Sequence, residues 1–236
     1  MNELLFRANE ILSLLSPSLT DTSQAKRFGS KNDGGYVVID DFLGSDFLIS
    51  MGVADDVNFE AEIATKIAGT HLYDDSINLL PSQIQNSKFI KARVGGEGFV
   101  SIADALSQAN HHGDFILKMD IEGSEWDALD QASSEVLGRF RQIVIEHHWF
   151  ENIQDEVFFI RAHRVLSKLL MTHFVVNSHP NNWGDILVIE NLSVPSVVEV
   201  TYLRRSNYDI FEKITSQSLA LQELSLIHIS EPTRPY

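Results

Sequence analysis

From residue 46 onward, short apolar runs alternate with stretches of helical periodicity, and this alternation constrains the fold more than any other feature. The helical patterns cover residues 58–69, 101–110, 125–137 and 155–171. The strand-like runs cover residues 47–51, 71–74, 88–94, 115–119, 142–146, 173–177, 185–190 and 197–203. This alternation predicts an α/β fold with a mostly parallel sheet covered on both faces. The last three runs have no helix between them, so we expect an antiparallel hairpin at one edge.

A helix and a hairpin are predicted upstream of the alternation. Residues 4–15 carry apolar side chains at helical spacing, and the turn signal NDGG at residues 32–35 precedes the strand-like YVVID. An alternative use of Gly34 and Gly35 is a glycine-rich flap over a cofactor. We divide the chain into this extension (residues 1–45), one α/β domain (residues 46–205) and an uncertain segment (residues 206–223), with no internal repeat.

The last segment, LSLIHISEPTRPY at residues 224–236, continues neither a helical nor a strand pattern. It looks like translated sequencing-adapter read-through, so we expect it to be non-native and exclude it, including His228, from the predictions. The alternative is a genuine C-terminal segment.

Charge and composition exclude several classes of function. The formal net charge of −15 repels phosphate backbones and anionic membranes, so we expect neither a nucleic-acid nor a membrane partner. The chain has no cysteine, which excludes disulfides, thiolate zinc sites and cysteine nucleophiles. The N-terminal pattern is that of an amphipathic helix rather than a secretory signal, and no apolar run is long enough to span a bilayer. These features favour a cytoplasmic protein.

In open α/β sheets, ligands bind beyond the carboxyl ends of the strands, so the residues there are the first candidates. Ser50 and Gly52 end the first run, and the single glycine argues against the glycine-rich pyrophosphate loop of dinucleotide enzymes. Asp74 ends the second run and is placed to accept hydrogen bonds from ribose hydroxyls. The alternative for Asp74 and its neighbour Asp75 is a helix cap or a solvated turn.

The fourth run leads into FILKMDIEGSEWDAL, residues 115–129, in which Asp120, Glu122 and Glu125 closely follow the apolar residues. Ser124 is expected to cap the following helix, and Glu125 suits the dipole of its first turn. Asp120 and Glu122 have no such structural explanation. They are expected where the sheet opens, and would suit a cationic ligand, a hydroxyl-rich ligand or a divalent cation.

Histidines follow the fifth and sixth runs, at what should be the same edge of the sheet. His147 and His148 end QIVIEHHW, and His179 precedes Asn182 in HPNNWG. Histidine titrates near neutral pH and can act as a general base. The alternative for each is a structural hydrogen bond.

These stretches together resemble the FkbM-like methyltransferases, a branch of the class I S-adenosylmethionine-dependent enzymes. The matching segments are RFGSKNDGGYVV, SMGVADDVNFE, LYDDSI, LKMDIEGSEWDAL, RFRQIVIEHHWF, NNWG and VVEVTYLRR, across residues 27–205. The resemblance implies a Rossmann-like sandwich with a mostly parallel seven-stranded sheet whose last strand is antiparallel. This sequence departs from the family pattern at Asp75, where close relatives often carry histidine. It also shows no evident domain for recognition of the acceptor.

The resemblance also implies a cofactor and a reaction. S-adenosylmethionine would lie across the first two strands, and its sulfonium cation, ribose diol and lack of phosphate suit an acidic, glycine-poor site. The expected cofactor-binding residues are Ser50, Gly52, Asp74, Asp120, Glu122, Gly34 and Gly35. We expect O-methylation of a small-molecule acceptor, a hydroxyl on a sugar or natural product.

A poorly nucleophilic hydroxyl needs a base, for which the candidates are His148, His147 and Asp120, in that order. A metal-assisted variant would hold magnesium or manganese with Asp120, Glu146, His148 and Asn182, although our expectation is a metal-free site. The alternative functions are a catalytically inactive binding module on the same fold and, less consistent with the sequence, a nucleotide-binding oxidoreductase.

Overall fold

The structure is a computed structural model that describes residues 2–20, 24–31, 33–181, 184–208, 210 and 212–213. Its helices are α1 (Glu3–Leu14), α2 (Asn58–Ala64), α3 (Ile102–Ala109), α4 (Glu125–Gln131), α5 (Ser134–Leu137) and α6 (Glu156–Thr172), with a 3₁₀ helix at Phe150–Gln154. Its strands are β1 (Ser18–Leu19), β2 (Ala25–Gly29), β3 (Gly35–Ile39), β4 (Phe47–Met51), β5 (Gly69–Asp74), β6 (Ser87–Lys91), β7 (Phe115–Met119), β8 (Phe140–His147), β9 (His173–Pro180), β10 (Ile186–Ile189), β11 (Leu192–Pro195), β12 (Val198–Arg204) and β13 (Glu212–Lys213). The predicted adapter-derived tail and Asn182 lie outside the described residues.

The central sheet has seven strands in the order β6-β5-β4-β7-β8-β12-β9. Strand β12 runs antiparallel to both of its neighbours, whereas the pairs from β6 to β8 are parallel. This confirms the predicted α/β class and the seven-stranded sheet with an antiparallel last strand. The chain order reverses between β4 and β7, and a crevice forms at such a point because successive connections leave on opposite faces.

Three short pairings lie outside the central sheet. Strands β2 and β3 form the hairpin that the NDGG turn predicts, and β1 pairs with β13. Strand β10, which covers most of the predicted run 185–190, pairs with β11 in a separate hairpin. The antiparallel strand of the central sheet is therefore β12, and the β10–β11 hairpin is not part of that sheet.

Each strand buries its two faces against different elements, as period-two alternation requires. Met51, Met119 and Ile145 point into the larger core, which includes apolar residues of α1, α4 and α6. Leu48 and Ile116 point to the opposite face, where the β2–β3 hairpin and α2 supply Phe28, Tyr36 and Phe59. The hairpin thus covers one face of the sheet beside the crevice.

Two predicted helices are shorter than their patterns. The helix expected at residues 58–69 ends at Ala64, and Gly69 begins β5 instead of ending the helix. The helix expected at residues 125–137 breaks after Gln131, because Ala132 is extended and Ser133 caps α5 through the backbone N–H of Val136. None of the helices in the described part of the chain has the length and apolarity that a bilayer span requires.

Candidate active site

A cavity of about 680 Å3 opens at the carboxyl ends of β4, β5 and β7, where the chain order reverses. Its volume lies within the range of roughly 300–1,000 Å3 that is typical of small-molecule sites. Eight of its lining side chains are acidic, and two, Arg93 and Lys118, are basic. Gly34 and Tyr36 of the hairpin also line it, so the cavity is enclosed by the sheet edge on one side and the hairpin on another.

The turn after β4 brings two strands into close backbone contact. Gly52 has a φ of +79°, and a Cβ at this position would lie 1.6 Å from the carbonyl oxygen of Asp120. Lys118, a buried cation within β7, donates a hydrogen bond to the carbonyl oxygen of Gly52 from the other side. The turn therefore requires glycine, and it leaves the backbone of residues 52–54 facing the cavity.

Asp74 lines the cavity, but its carboxylate is largely occupied by the protein itself. Oδ2 accepts hydrogen bonds from the backbone N–H groups of Val53 and Ala54, both at 2.9 Å. Oδ1 accepts from the N–H and the hydroxyl of Ser76 at 2.7 and 2.6 Å. Burial alone would raise the pKa of Asp74, but these hydrogen bonds outweigh it and lower the pKa to about 2. Asp74 thus joins the loops that follow β4 and β5, and a contact with ribose stays a prediction.

Two of the expected cofactor-binding residues do not line the cavity. Ser50 is fully buried, and its hydroxyl donates to Oε1 of Glu60 at 2.5 Å. Glu60 lines the cavity in its place, and burial raises the pKa of its carboxyl group. Gly35 pairs with Gly29 in the hairpin, behind Gly34. The positions of Ser50 and Gly35 therefore do not fit direct cofactor contacts.

Asp120 joins the sheet to the hairpin. Its Oδ2 atom accepts a hydrogen bond from the hydroxyl of Tyr36 at 2.7 Å and lies 3.8 Å from Nζ of Lys118. Burial, and secondarily the charge of Asp120, raises the pKa of Tyr36 well above its ordinary value. Tyr36 is therefore a hydrogen-bond donor at this rim, and Oδ1 of Asp120 faces the other way, toward His148.

His148 is held by Glu125, which is fully buried at the start of α4. Oε1 of Glu125 accepts from the backbone N–H of His148 at 2.8 Å and lies 3.1 Å from Nδ1 of its ring, while Oε2 accepts from the N–H of Gly123 at 2.8 Å. Ser124, the expected cap, makes no side-chain capping bond. Nε2 of His148 lies 3.9 Å from Oδ1 of Asp120 and 3.6 Å from Oε2 of Glu122.

The charge state of His148 follows from these neighbours. Burial favours the neutral ring, but the hydrogen bond and charge of Glu125, and then the charges of Asp120 and Glu146, outweigh it. The net result is a pKa above the ordinary value for histidine. The fold thus brings together three residues from two loops. Asp120 and Glu122 follow β7, and His148 follows β8.

His147 lies on the other side of strand β8, in the core. Its Nε2 is 2.9 Å from the hydroxyl of Tyr202, and its ring stacks on Trp126 with a centroid distance of 5.1 Å. Full burial, followed by the charge of His148, lowers the pKa of His147 to about 3. Because the ring is inaccessible and stays neutral, the expectation that His147 acts as a base does not fit the structure.

A family comparison supplies the identification. The family described as the methyltransferase FkbM domain matches residues 46–170, more than half of the chain. The chain belongs to the FkbM methyltransferase family. This confirms the resemblance noted in the sequence, and the matched region contains the β4 turn, Asp74, Asp120, Glu125 and His148.

Two further comparisons add context for this FkbM methyltransferase. None of the curated proteins compared with the chain matches it. Solved structures that align with it include an rRNA methylase from Streptococcus thermophilus, at 10% identity and a TM-score of 0.40 over 86% of this chain and 98% of that chain. They also include the N-methyltransferase NodS from Bradyrhizobium japonicum WM9, at 9% identity and a TM-score of 0.40 over 86% and 97% of the respective chains.

The FkbM methyltransferase also has a row of ionisable residues that the sequence analysis did not identify as a set. Glu146 on β8 pairs with Glu199 on β12, which in turn pairs with His179 on β9. Burial raises the pKa of both glutamates, that of Glu199 to about 7, with the charge of Asp120 adding to the effect. Pairing of this kind between distant strands leaves no local pattern in the sequence. A weak signal existed only for Lys118, a charged residue inside the apolar run FILKM.

Proposed function

We propose that this protein transfers the methyl group of S-adenosylmethionine to a hydroxyl group of a sugar or small natural product. The observation that carries the proposal is the acidic cavity at the reversal point of the sheet, which adjoins Asp120 and the oriented imidazole of His148. The family membership supports methyl transfer as the reaction, and the acceptor class is our inference.

The cavity suits the methyl donor for electrostatic reasons. A sulfonium cation is attracted by the excess of acidic side chains around the cavity, whereas a diphosphate would be repelled by them. The oxygens of Asp74 already accept two short hydrogen bonds each, which uses most of the capacity of a carboxylate. We therefore assign Asp74 to the positioning of the Val53–Ala54 turn, and the exposed Asp75 beside it to the ribose hydroxyls.

The reaction is an in-line displacement at the methyl carbon. The acceptor oxygen forms a bond to this carbon as the carbon–sulfur bond breaks, the electron pair stays on sulfur, and S-adenosylhomocysteine leaves. The acceptor proton must also be removed. Most of the rate enhancement can come from alignment of oxygen, carbon and sulfur in a site that excludes water. We assign removal of this proton to Oδ1 of Asp120 or, when the His148 ring is neutral, to Nε2 of His148. A neutral, hydroxyl-rich acceptor is favoured over an anionic one because eight acidic side chains already line the cavity and would repel a negative charge.

The test combines binding with methyl transfer. Calorimetry should detect binding of S-adenosylhomocysteine, and a labelled methyl group should pass from S-adenosylmethionine to a member of a sugar and polyol panel. His148→Ala should bind S-adenosylhomocysteine as the wild type does but transfer the label much more slowly. A protein that binds neither form of the cofactor is no methyltransferase. Labelling of amines in place of hydroxyls would overturn the acceptor class alone. A cytoplasmic location and the lack of a nucleic-acid partner stay predictions.

A further inference from the structure

We propose that Asp120, Glu122 and His148 form a binding site for a divalent cation with the preferences of Mn2+. Each residue offers one donor atom, and the three atoms lie within 4.8 Å of one another. The site goes beyond methyl transfer, because cation binding at these residues does not depend on which reaction the protein catalyses.

The distances are close to those of a coordination sphere. Nε2 of His148 is 3.6 Å from Oε2 of Glu122 and 3.9 Å from Oδ1 of Asp120. Metal–oxygen bonds near 2.1 Å place adjacent ligands roughly 3 Å apart, so each atom needs to move by less than about 1 Å. The side chain of Glu122 is 87% exposed and can make most of this movement at little cost.

The other atoms of the two less mobile ligands are already engaged, which leaves one free donor on each. Oδ2 of Asp120 accepts from the hydroxyl of Tyr36, and Oδ1 faces His148. Nδ1 of His148 contacts Glu125, so Nε2 is directed at the two carboxylates. The His148 side chain is 92% buried, and the contacts of Nε2 are with Oδ1 of Asp120 and Oε2 of Glu122, the two proposed carboxylate ligands. A buried imidazole fixed by a carboxylate through one nitrogen, with its second nitrogen directed at further ligand atoms, is the usual arrangement of a metal-ligating histidine.

The donor types select the class of cation. Two carboxylates and one imidazole are a donor set that suits Mn2+. Ca2+ prefers oxygen ligands alone, and a structural Zn2+ ion is normally held by four protein ligands, so both fit this set less well. Asp120 and Glu122 both line the cavity, so the remaining coordination positions would face it and could accept water or hydroxyl oxygens. If methyl transfer also holds, His148 would act as a ligand in place of a base, and the bound cation would be the group that acidifies the acceptor hydroxyl.

Binding can be measured without an activity assay. The full-length protein, freed of metal by chelation, would be titrated with Mn2+ while the signal of the free ion is followed by electron paramagnetic resonance. We expect saturable binding of one ion. Asp120→Asn, Glu122→Gln and His148→Gln should each weaken it by at least about tenfold. The matched control is Asp55→Asn, which removes the same charge from an exposed acid of the same cavity and should change the affinity by no more than about twofold.

A second readout identifies the imidazole ligand in the wild type itself. Electron spin-echo modulation of the bound Mn2+ should show coupling to a ligand nitrogen, and this coupling should vanish in His148→Gln. The proposal is overturned if no saturable binding occurs, if the wild type shows no nitrogen coupling, or if Asp55→Asn weakens binding as much as Glu122→Gln does. The last result would mean diffuse attraction of cations by the acidic cavity.

Discussion

Glu125 and His148 are linked twice through one atom, since Oε1 of the glutamate accepts from the histidine backbone at 2.8 Å and lies 3.1 Å from ring atom Nδ1. An ionised carboxylate only accepts hydrogen bonds, so Nδ1 carries a proton and donates. Nε2 is then directed toward Asp120 and Glu122 at the rim of the cavity. Glu125, which the sequence analysis accounted for by the helix dipole, is therefore a positioning residue for His148.

Replacement of Glu125 by glutamine should affect turnover more than cofactor binding. The neutral amide removes the charge that contributes to the raised pKa of His148. In either orientation its NH2 group faces a backbone N–H, that of His148 or that of Gly123, so the ring is held less firmly. We expect a fall in kcat of about 10- to 100-fold. The pH profile of kcat should also shift, and the affinity for S-adenosylhomocysteine should stay unchanged. Asp127→Asn is the control, because Asp127 lies on the same helix and pairs with Arg161 outside the cavity. An equal loss in both variants would contradict the assignment.

The comparison of His147 with His148 shows what sequence periodicity can and cannot predict. Apolar runs and their spacing predict the strands, and strand ends predict that Asp120, Glu122 and His148 lie at one edge. Neighbouring residues at a strand end point to opposite faces, so only one of the two histidines reaches the rim. Which one does depends on Trp126, Phe150 and Tyr202, whose packing around His147 is set by tertiary structure. The contact between Tyr36 and Asp120 likewise joins a hairpin to a strand 84 residues away, without a local signal.

Asp74 and Asp75 should have separable effects. Asp74→Asn removes acceptors from a buried carboxylate that holds two loops, so the free energy of unfolding should fall by about 2 kcal/mol in urea titrations. The affinity for S-adenosylhomocysteine should fall as well, because the Val53–Ala54 turn loses its anchor. Asp75→Asn should leave the unfolding free energy unchanged but weaken S-adenosylhomocysteine binding by about tenfold, through the loss of a charge-assisted hydrogen bond to ribose. Loss of binding without loss of stability in Asp74→Asn would instead make Asp74 the direct ribose partner.

Gly52→Ala should prevent stable folding of the domain. The positive φ alone costs a residue with a side chain roughly 1–2 kcal/mol. At Gly52 the added methyl group also meets the backbone of Asp120 at 1.6 Å, which cannot move without separating β4 from β7. Gly98→Ala isolates the first cost, since Gly98 has a φ of +81° and open space around it. Chemical unfolding should show a loss of about 1–2 kcal/mol for Gly98→Ala and a much larger loss, or no cooperative transition, for Gly52→Ala. Equal losses would mean that the strands tolerate the clash.

His147 should make the fold sensitive to acid. Its pKa is about 3 in the folded protein, well below the value of about 6.5 for an unperturbed histidine, because the buried ring resists protonation. As the pH falls from about 6.5 toward 3, the unfolded chain binds a proton that the folded chain excludes, so stability is lost at up to about 1.4 kcal/mol per pH unit. His147→Phe removes this proton but also the contact with Tyr202, which should cost about 1 kcal/mol at pH 7.5. Urea unfolding should therefore find the wild type more stable at pH 7.5 and the variant more stable near pH 5.

His112→Asn, at an exposed position, is the control and should run parallel to the wild type. The same parallel behaviour in His147→Phe would show that the folded and unfolded chains bind the proton of His147 over the same pH range.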